Sequence, residues 1–351
     1  MQSQITRMKH HDHKQHLNAF RSALYDGNLS ALRAAAKSLF AENAVIKLSH
    51  PIGTLPSATH WIDDVFGGLA KAIPDLERRD LIVIGGTSEI GADWVGCCGY
   101  YTGTFSSSWM DIPPTGHMAS LRFHEFFRFE DGKVTEVQAI WDIPELMMQA
   151  GAWPLWPSLG REWLVPGPAK QDGLRLQMDD DQSDKSLKLV RDMCNALGNY
   201  AEGGVEAMAL DRYWHPHCSW YGPSGIGTGR GISGFRRWHQ IPFLNGLPDR
   251  VGNVGEGHLF AEGDFVGFTA WPGMHMSVSG DGWLGIAPAG QKIEMRSLDF
   301  WRCSGGMIRE NWVLVDLLDL YAQLGVDVLA RLREFNKARV PGVVPPLAGD
   351  H

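Results

Sequence analysis

The 351-residue chain has little cysteine, no long apolar run and no concentration of positive charge, and each shortage removes a class of protein. Its five cysteines, Cys97, Cys98, Cys194, Cys218 and Cys303, are an odd set without metal-ligand spacing, which argues against a disulfide scaffold or a zinc module. Adjacent Cys97 and Cys98 read as small strand residues in a reducing, cytoplasmic setting. No stretch approaches the ~20 apolar residues that span a bilayer, and residues 1–16 lack the apolar core of a secretory signal. With 32 basic against 40 acidic side chains the net charge is −8, so neither a nucleic acid nor a membrane is an expected partner. What remains, 44% hydrophobic and 21% charged, is the composition of a folded protein long enough for two domains.

Laid on itself with an offset of 174 residues, the sequence repeats. Leu121 to Gly151 meets Met295 to Gly325 without a gap, matching Arg122/Arg296, Phe126/Phe300, Arg128/Arg302, Gly132/Gly306, Glu136/Glu310, Asp142/Asp316 and Gln149/Gln323. The same offset pairs Trp109 with Trp283, Ile52-Gly53-Thr54 with Ile226-Gly227-Thr228, and Pro74-Asp75 with Pro248-Asp249. A period this long is a duplicated domain and not a solenoid repeat. The expected organisation is copy one in 1–160, a linker in 161–186, copy two in 187–340 and a Pro-containing tail in 341–351.

Each copy reads as helices followed by an antiparallel meander. Leu17, Phe20 and Leu24 in copy one, and Leu187, Val190, Met193 and Leu197 in copy two, fall near helical spacing. Strand-like runs follow at 81–84, 94–101, 119–129 and 134–141, then at 265–270, 293–303 and 308–315. Glu130-Asp131-Gly132-Lys133 and Ser304-Gly305-Gly306 look like hairpin turns. That order describes an α+β domain.

The last hairpin carries a recognisable pattern: Asp299-Phe-Trp-Arg302, Gly306, Glu310-Asn311-Trp312, Asp316 and Gln323-Leu324-Gly325. It resembles the SnoaL-like polyketide cyclase family, which implies two tandem cone-shaped α+β domains, each a curved antiparallel sheet wrapped on about three helices around an apolar pocket. Asn311 stands where that family usually has His, and copy one has Val137 and Gln138 in place of His-Trp. The resemblance implies a cofactor-independent, metal-free enzyme in which one pocket carboxylate is general acid and base toward a small carbonyl-containing, polyketide-like substrate. It places Asp316 in that role in copy two and Asp142 in copy one. Ketosteroid isomerase, which shares the family's fold, uses related acid–base logic.

Both aspartates have a structural alternative as helix N-caps, each three residues before an acid, Glu145 or Asp319. Strand alternation puts Trp312, Leu314 and Asp316 on one face, whereas Asp299 and Arg302 have opposite parity, leaving Arg302 for surface or interface carboxylates. Trp312, Trp283, Trp271, His275, Gln138, Trp109 and His124 are the candidate ligand-contacting residues. Gly229-Arg-Gly231-Ile-Ser-Gly234 spells a dinucleotide fingerprint but reads better as a pocket-mouth loop with Arg236 and Arg237. His10, His11, His13 and His16 read as a solvated helix start. The two copies are expected to pack as an intramolecular pseudo-dimer, with further dimerisation through helices left open. The functional alternative, from another class, is a non-catalytic binding or assembly module on the same fold.

Overall fold

The computed structural model describes residues 2–175, 179–252 and 257–337; the expected tail 341–351 lies outside them. Copy one opens with helices α1 (Gln2–Tyr25) and α2 (Leu29–Leu39). Leu17, Phe20 and Leu24 form the buried stripe of α1, and the Asn28 side chain caps α2 by accepting from the Ala31 N–H at 3.0 Å. The strands are β1 (Phe40–Leu48), β2 (Thr54–Leu55), β3 (Glu77–Thr87), β4 (Asp93–Thr104), β5 (Met118–Glu130) and β6 (Lys133–Trp141). They form one sheet in the order β2-β1-β6-β5-β4-β3.

Copy two repeats this with β7 (Trp214–Tyr221), β8 (Thr228–Arg230), β9 (Val251–Gly252), β10 (His258–Glu262), β11 (Phe265–Ser277), β12 (Lys292–Ser304) and β13 (Met307–Val315). Its order is β10-β11-β12-β13-β7-β8, with β9 pairing β11. The chain is thus α+β, with a six-stranded and a seven-stranded sheet. Both expected hairpin turns form, with Asp131, Gly132, Gly305 and Gly306 all at positive φ. The meander is not wholly antiparallel: β1 pairs β6, and β7 pairs β13, in parallel. These opening strands escape a sequence reading because each is separated from its partner by most of its copy.

Each sheet has two buried faces. One packs on its own helices; the other meets the second sheet through Trp94, Phe126 and Ile140 on one side and Leu298, Phe300 and Trp312 on the other. Repeat-equivalent residues touch each other there. Phe126 stacks on Phe300 with centroids 4.9 Å apart, and His124 Nδ1 lies 2.7 Å from the carbonyl of Leu298, its own counterpart.

Residues of the expected linker are woven into this seam. The Val165 N–H donates to the Tyr100 hydroxyl at 2.9 Å, and Arg302 grips Asp172 with Nη2 at 2.6 Å. The first helix of copy two begins at Asp180, inside the stretch read as linker. The histidine-rich start is solvated only in part: His16 is exposed and His10 and His11 are half-buried, but His13 stacks on Phe129 at 4.3 Å, and Lys14 is fully buried against Glu262 of copy two. Burial pushes the His13 pKa down to about 4. Its partners lie in distant strands, out of reach of a local reading. Among the described residues no helix is long and apolar enough to cross a membrane. No group of three or more His, Cys, Asp or Glu among them is placed to hold a metal.

Candidate active site

Strand parity decides which side chains can reach a ligand. On β12, Met295, Ser297, Asp299 and Trp301 turn toward the helices of copy two; on β13, Asn311, Val313 and Val315 do the same. Between them and the helices lies a cavity of about 480 Å³, a volume ordinary for a small-molecule site. Phe235, His239, Gln240 and Phe243 form the facing wall, and Trp283 closes one side.

Asp299 is the carboxylate in this cavity. It is 7% exposed, and the Ser297 hydroxyl donates to its Oδ2 at 2.6 Å. Burial pushes its pKa up to about 7, against smaller opposing contributions from the Ser297 and Asn311 hydrogen bonds. Across the cavity His239 stacks on Trp220 with centroids 4.0 Å apart, and burial takes its pKa down to about 3. The imidazole is therefore neutral near pH 7, and its Nδ1 has no partner among the described residues. The Trp301 Nε1–H and the Gln240 Oε1 are likewise buried without a partner among them. An apolar cavity edged by a few unpaired polar atoms is suited to a ligand bearing matching polar atoms.

In copy one larger buried side chains occupy the equivalent positions. Glu125, the repeat counterpart of Asp299, is fully buried. It accepts from Arg78 Nη1 at 2.6 Å, the Tyr101 hydroxyl at 2.8 Å and Trp141 Nε1 at 2.9 Å. The Arg78 guanidinium also lies over the Phe123 ring, 4.0 Å from its centroid. Matching strand registers puts Gly252 where copy one has Arg78 and Met274 where it has Tyr101. The offset of 174 puts Ser297 for Phe123 and Val315 for Trp141. Four smaller or simpler side chains thus account for the open space in copy two.

Most sequence-chosen site residues lie on the other face. Asp316 and Asp142 face the seam between the copies, and neither lines the cavity. Asp316 caps its own helix by accepting from the Asp319 N–H at 3.2 Å, and its Oδ2 accepts from the His50 N–H of copy one at 2.9 Å and from Arg296 at 3.0 Å. Asp142 mirrors this, accepting from the Glu145 N–H at 3.3 Å and from the Ser224 N–H of copy two at 2.9 Å. Burial raises both pKa values, that of Asp316 to about 6.

The remaining ligand-contact candidates sort in the same way. Trp312 donates to the Pro166 carbonyl at 2.9 Å, Gln138 accepts from the Thr269 hydroxyl at 2.6 Å, and His124 meets Leu298, all in the seam. Trp271 lies against Arg296, 4.8 Å from guanidinium carbon to ring centroid, and His275 is exposed beside Glu294. Trp109 packs in the interior of copy one; Trp283 alone of the set lines the cavity. Arg302 pairs with the seam carboxylate Asp172, as its parity implied. In the glycine-rich loop Gly229 packs against Gly234, and Arg236 pairs with Glu206 instead of facing the cavity. Asp299 itself was detectable, because the offset of 174 sets acid on acid at Glu125/Asp299.

The SnoaL-like polyketide cyclase model matches residues 14–150 and again 198–324. The chain belongs to that family. Solved structures similar to it include IdmH from Streptomyces antibioticus, 23% identical over 40% of this chain and 98% of that one, with a TM-score of 0.33. An NTF2-like protein from Burkholderia xenovorans LB400 is 14% identical over 40% of this chain and 96% of that one, with a TM-score of 0.31. A Catenulispora acidiphila protein of ketosteroid isomerase-like fold, in complex with trimethylamine, is 16% identical over 39% and 92%, with a TM-score of 0.30. No curated protein matches the chain.

Proposed function

We propose that copy two is the catalytic half of a cofactor-independent cyclase or isomerase, with Asp299 as its general acid and base. Copy one then serves as a structural half, joined to it as an intramolecular pseudo-dimer. Copy one is kept at 1–160 in this reading, and the helix that begins at Asp180 moves the start of copy two from 187 to 180. The observation that carries the reading is Asp299: a buried carboxylate on the wall of an apolar cavity, with its pKa lifted to about 7. A base tuned near neutrality can both take and return a proton.

The step is a proton transfer followed by bond formation. The Asp299 carboxylate takes the proton from a carbon beside a carbonyl, and the C–H electron pair moves into that carbonyl as an enolate. The enolate carbon bonds to a second carbonyl carbon of the same molecule, and the resulting alkoxide takes the proton back from Asp299. In an isomerisation the enolate is reprotonated at another carbon by the same acid. The partnerless Trp301 Nε1–H is the donor suited to the enolate oxygen. The substrate is a small, largely apolar carbonyl compound.

A direct test is solvent deuterium exchange at C1 of 2-tetralone, whose acidic C–H lies between a ring and a carbonyl. Wild type should accelerate exchange and Asp299→Asn should not, because an amide cannot act as the base. Equal acceleration by both proteins would remove Asp299 from the mechanism.

A further inference from the structure

Among the described residues two charged side chains line the cavity, Asp299 and Arg250, and they are not paired with each other. Among the described residues Arg250 has no carboxylate partner. Its guanidinium lies 5.4 Å from the Tyr200 ring centroid and 5.8 Å from that of Phe243, and Nη2 donates to the Leu197 carbonyl at 3.3 Å. Burial lowers its pKa, with only Tyr200 opposing. The contrast with copy one is direct, since the buried Arg78 there is neutralised by both Glu125 and Asp80. A guanidinium held between aromatic faces, with donors left over, is a receptor for a planar anion.

The helix Asp180–Leu197 borders both charged groups. Cys194, close enough to Asp299 for that charge to help burial in raising its thiol pKa, stands one turn before Leu197. Neither charge contributes to the other's pKa shift, so the two groups stand apart in the cavity. Among the described residues no Lys and no second Arg line the cavity, so the site is built for a single negative charge and not for a phosphate dianion.

Resting on the proposal that this cavity is the substrate site, we infer that its substrate is a carboxylic acid: an aromatic or fused-ring keto acid whose carboxylate is held by Arg250 while its carbonyl end lies over Asp299. Arg250 is then the specificity-determining residue. It fixes the orientation of the molecule, so that one C–H and not another reaches the base.

The experiment compares 2-naphthoate with 2-naphthamide, which share shape and differ in charge, by calorimetric titration of the full chain at pH 7.5. Wild type should bind the acid at least tenfold more tightly. Arg250→Gln should bring the acid down to the level of the amide, with an unchanged circular dichroism spectrum checking the fold. Arg250→Lys should keep part of the preference. Equal affinities in wild type, or a preference that survives Arg250→Gln, would overturn the inference and leave the cavity reading intact. If neither compound binds wild type, the cavity reading fails and this inference fails with it.

Discussion

Glu125 and Asp299 occupy the same place in the two copies and differ chiefly in their surroundings. Glu125 is held by the buried side chains of Arg78, Tyr101 and Trp141; Asp299 keeps a hydroxyl and an amide beside it and faces open space. The carboxylate is common to both, so it is the neighbours that separate a paired acid from one that faces a cavity. A paired buried charge is stabilised where it is, whereas burial without a cation raises the pKa toward the range where protons move.

The largest effect should come from removing the member proposed as the base. Asp299→Asn is expected to lower the deuterium exchange rate by about 10²–10⁴-fold, the usual contribution of a general base. Glu125→Gln should leave the rate within a few-fold, and matched losses in the two mutants would erase the distinction between the copies.

Transplanting the neighbour is the next sharpest change. A Cβ at Gly252 would meet nothing nearer than Met274 Cγ at 3.7 Å, so Gly252→Arg can place a guanidinium where copy one has Arg78. It should fill the cavity and pair with Asp299, lowering 2-naphthamide affinity at least tenfold. The Asp299 pKa, followed by carbon-13 NMR of the carboxyl, should fall below about 7. Unchanged binding would show that Arg78 is not what closes copy one.

The reverse change, Arg78→Met, strips Glu125 of its cation inside a packed core. Urea denaturation should register a loss of about 3–5 kcal/mol, the cost of leaving a buried charge unpaired. A loss under ~1 kcal/mol would mean that the pair contributes little.

The pH dependence of stability has a definite sign. Folding raises the Asp299 pKa from 3.8 to about 7, so the folded chain holds a proton that the unfolded chain releases between those values. This contribution is complete below about pH 4 and is lost as pH rises through about 7; Asp316, at about 6, adds in the same direction. Asp299→Asn should flatten that limb and gain on the order of 2 kcal/mol at pH 8. A limb as steep as that of wild type would place the proton uptake elsewhere.

Asp316→Asn should have the smallest effect, because Asn caps helices nearly as well as Asp. We expect no change in exchange rate and a stability change within about 1 kcal/mol, because relief of a buried charge offsets the weakened contacts to Arg296 and His50. A collapse of exchange activity would return the chemistry to the seam.

The sequence by itself determined the duplication, the α+β class, the hairpin turns and the capping aspartates. All of these are written in a fixed offset or in patterns a few residues long: glycines at the turns, an Asp ahead of each closing helix. It also put Trp312, Leu314 and Asp316 correctly on one face. Only the tertiary structure decided which face that is. Strands β4 and β13 are buried on both sides, one against helices and one against the other sheet, so no apolar–polar alternation tells cavity from seam. The closing of copy one depends on Arg78 meeting Glu125 across 47 residues, and the burial of Lys14 on Glu262 spans 248. Pairings at such separations exist only once the chain has folded.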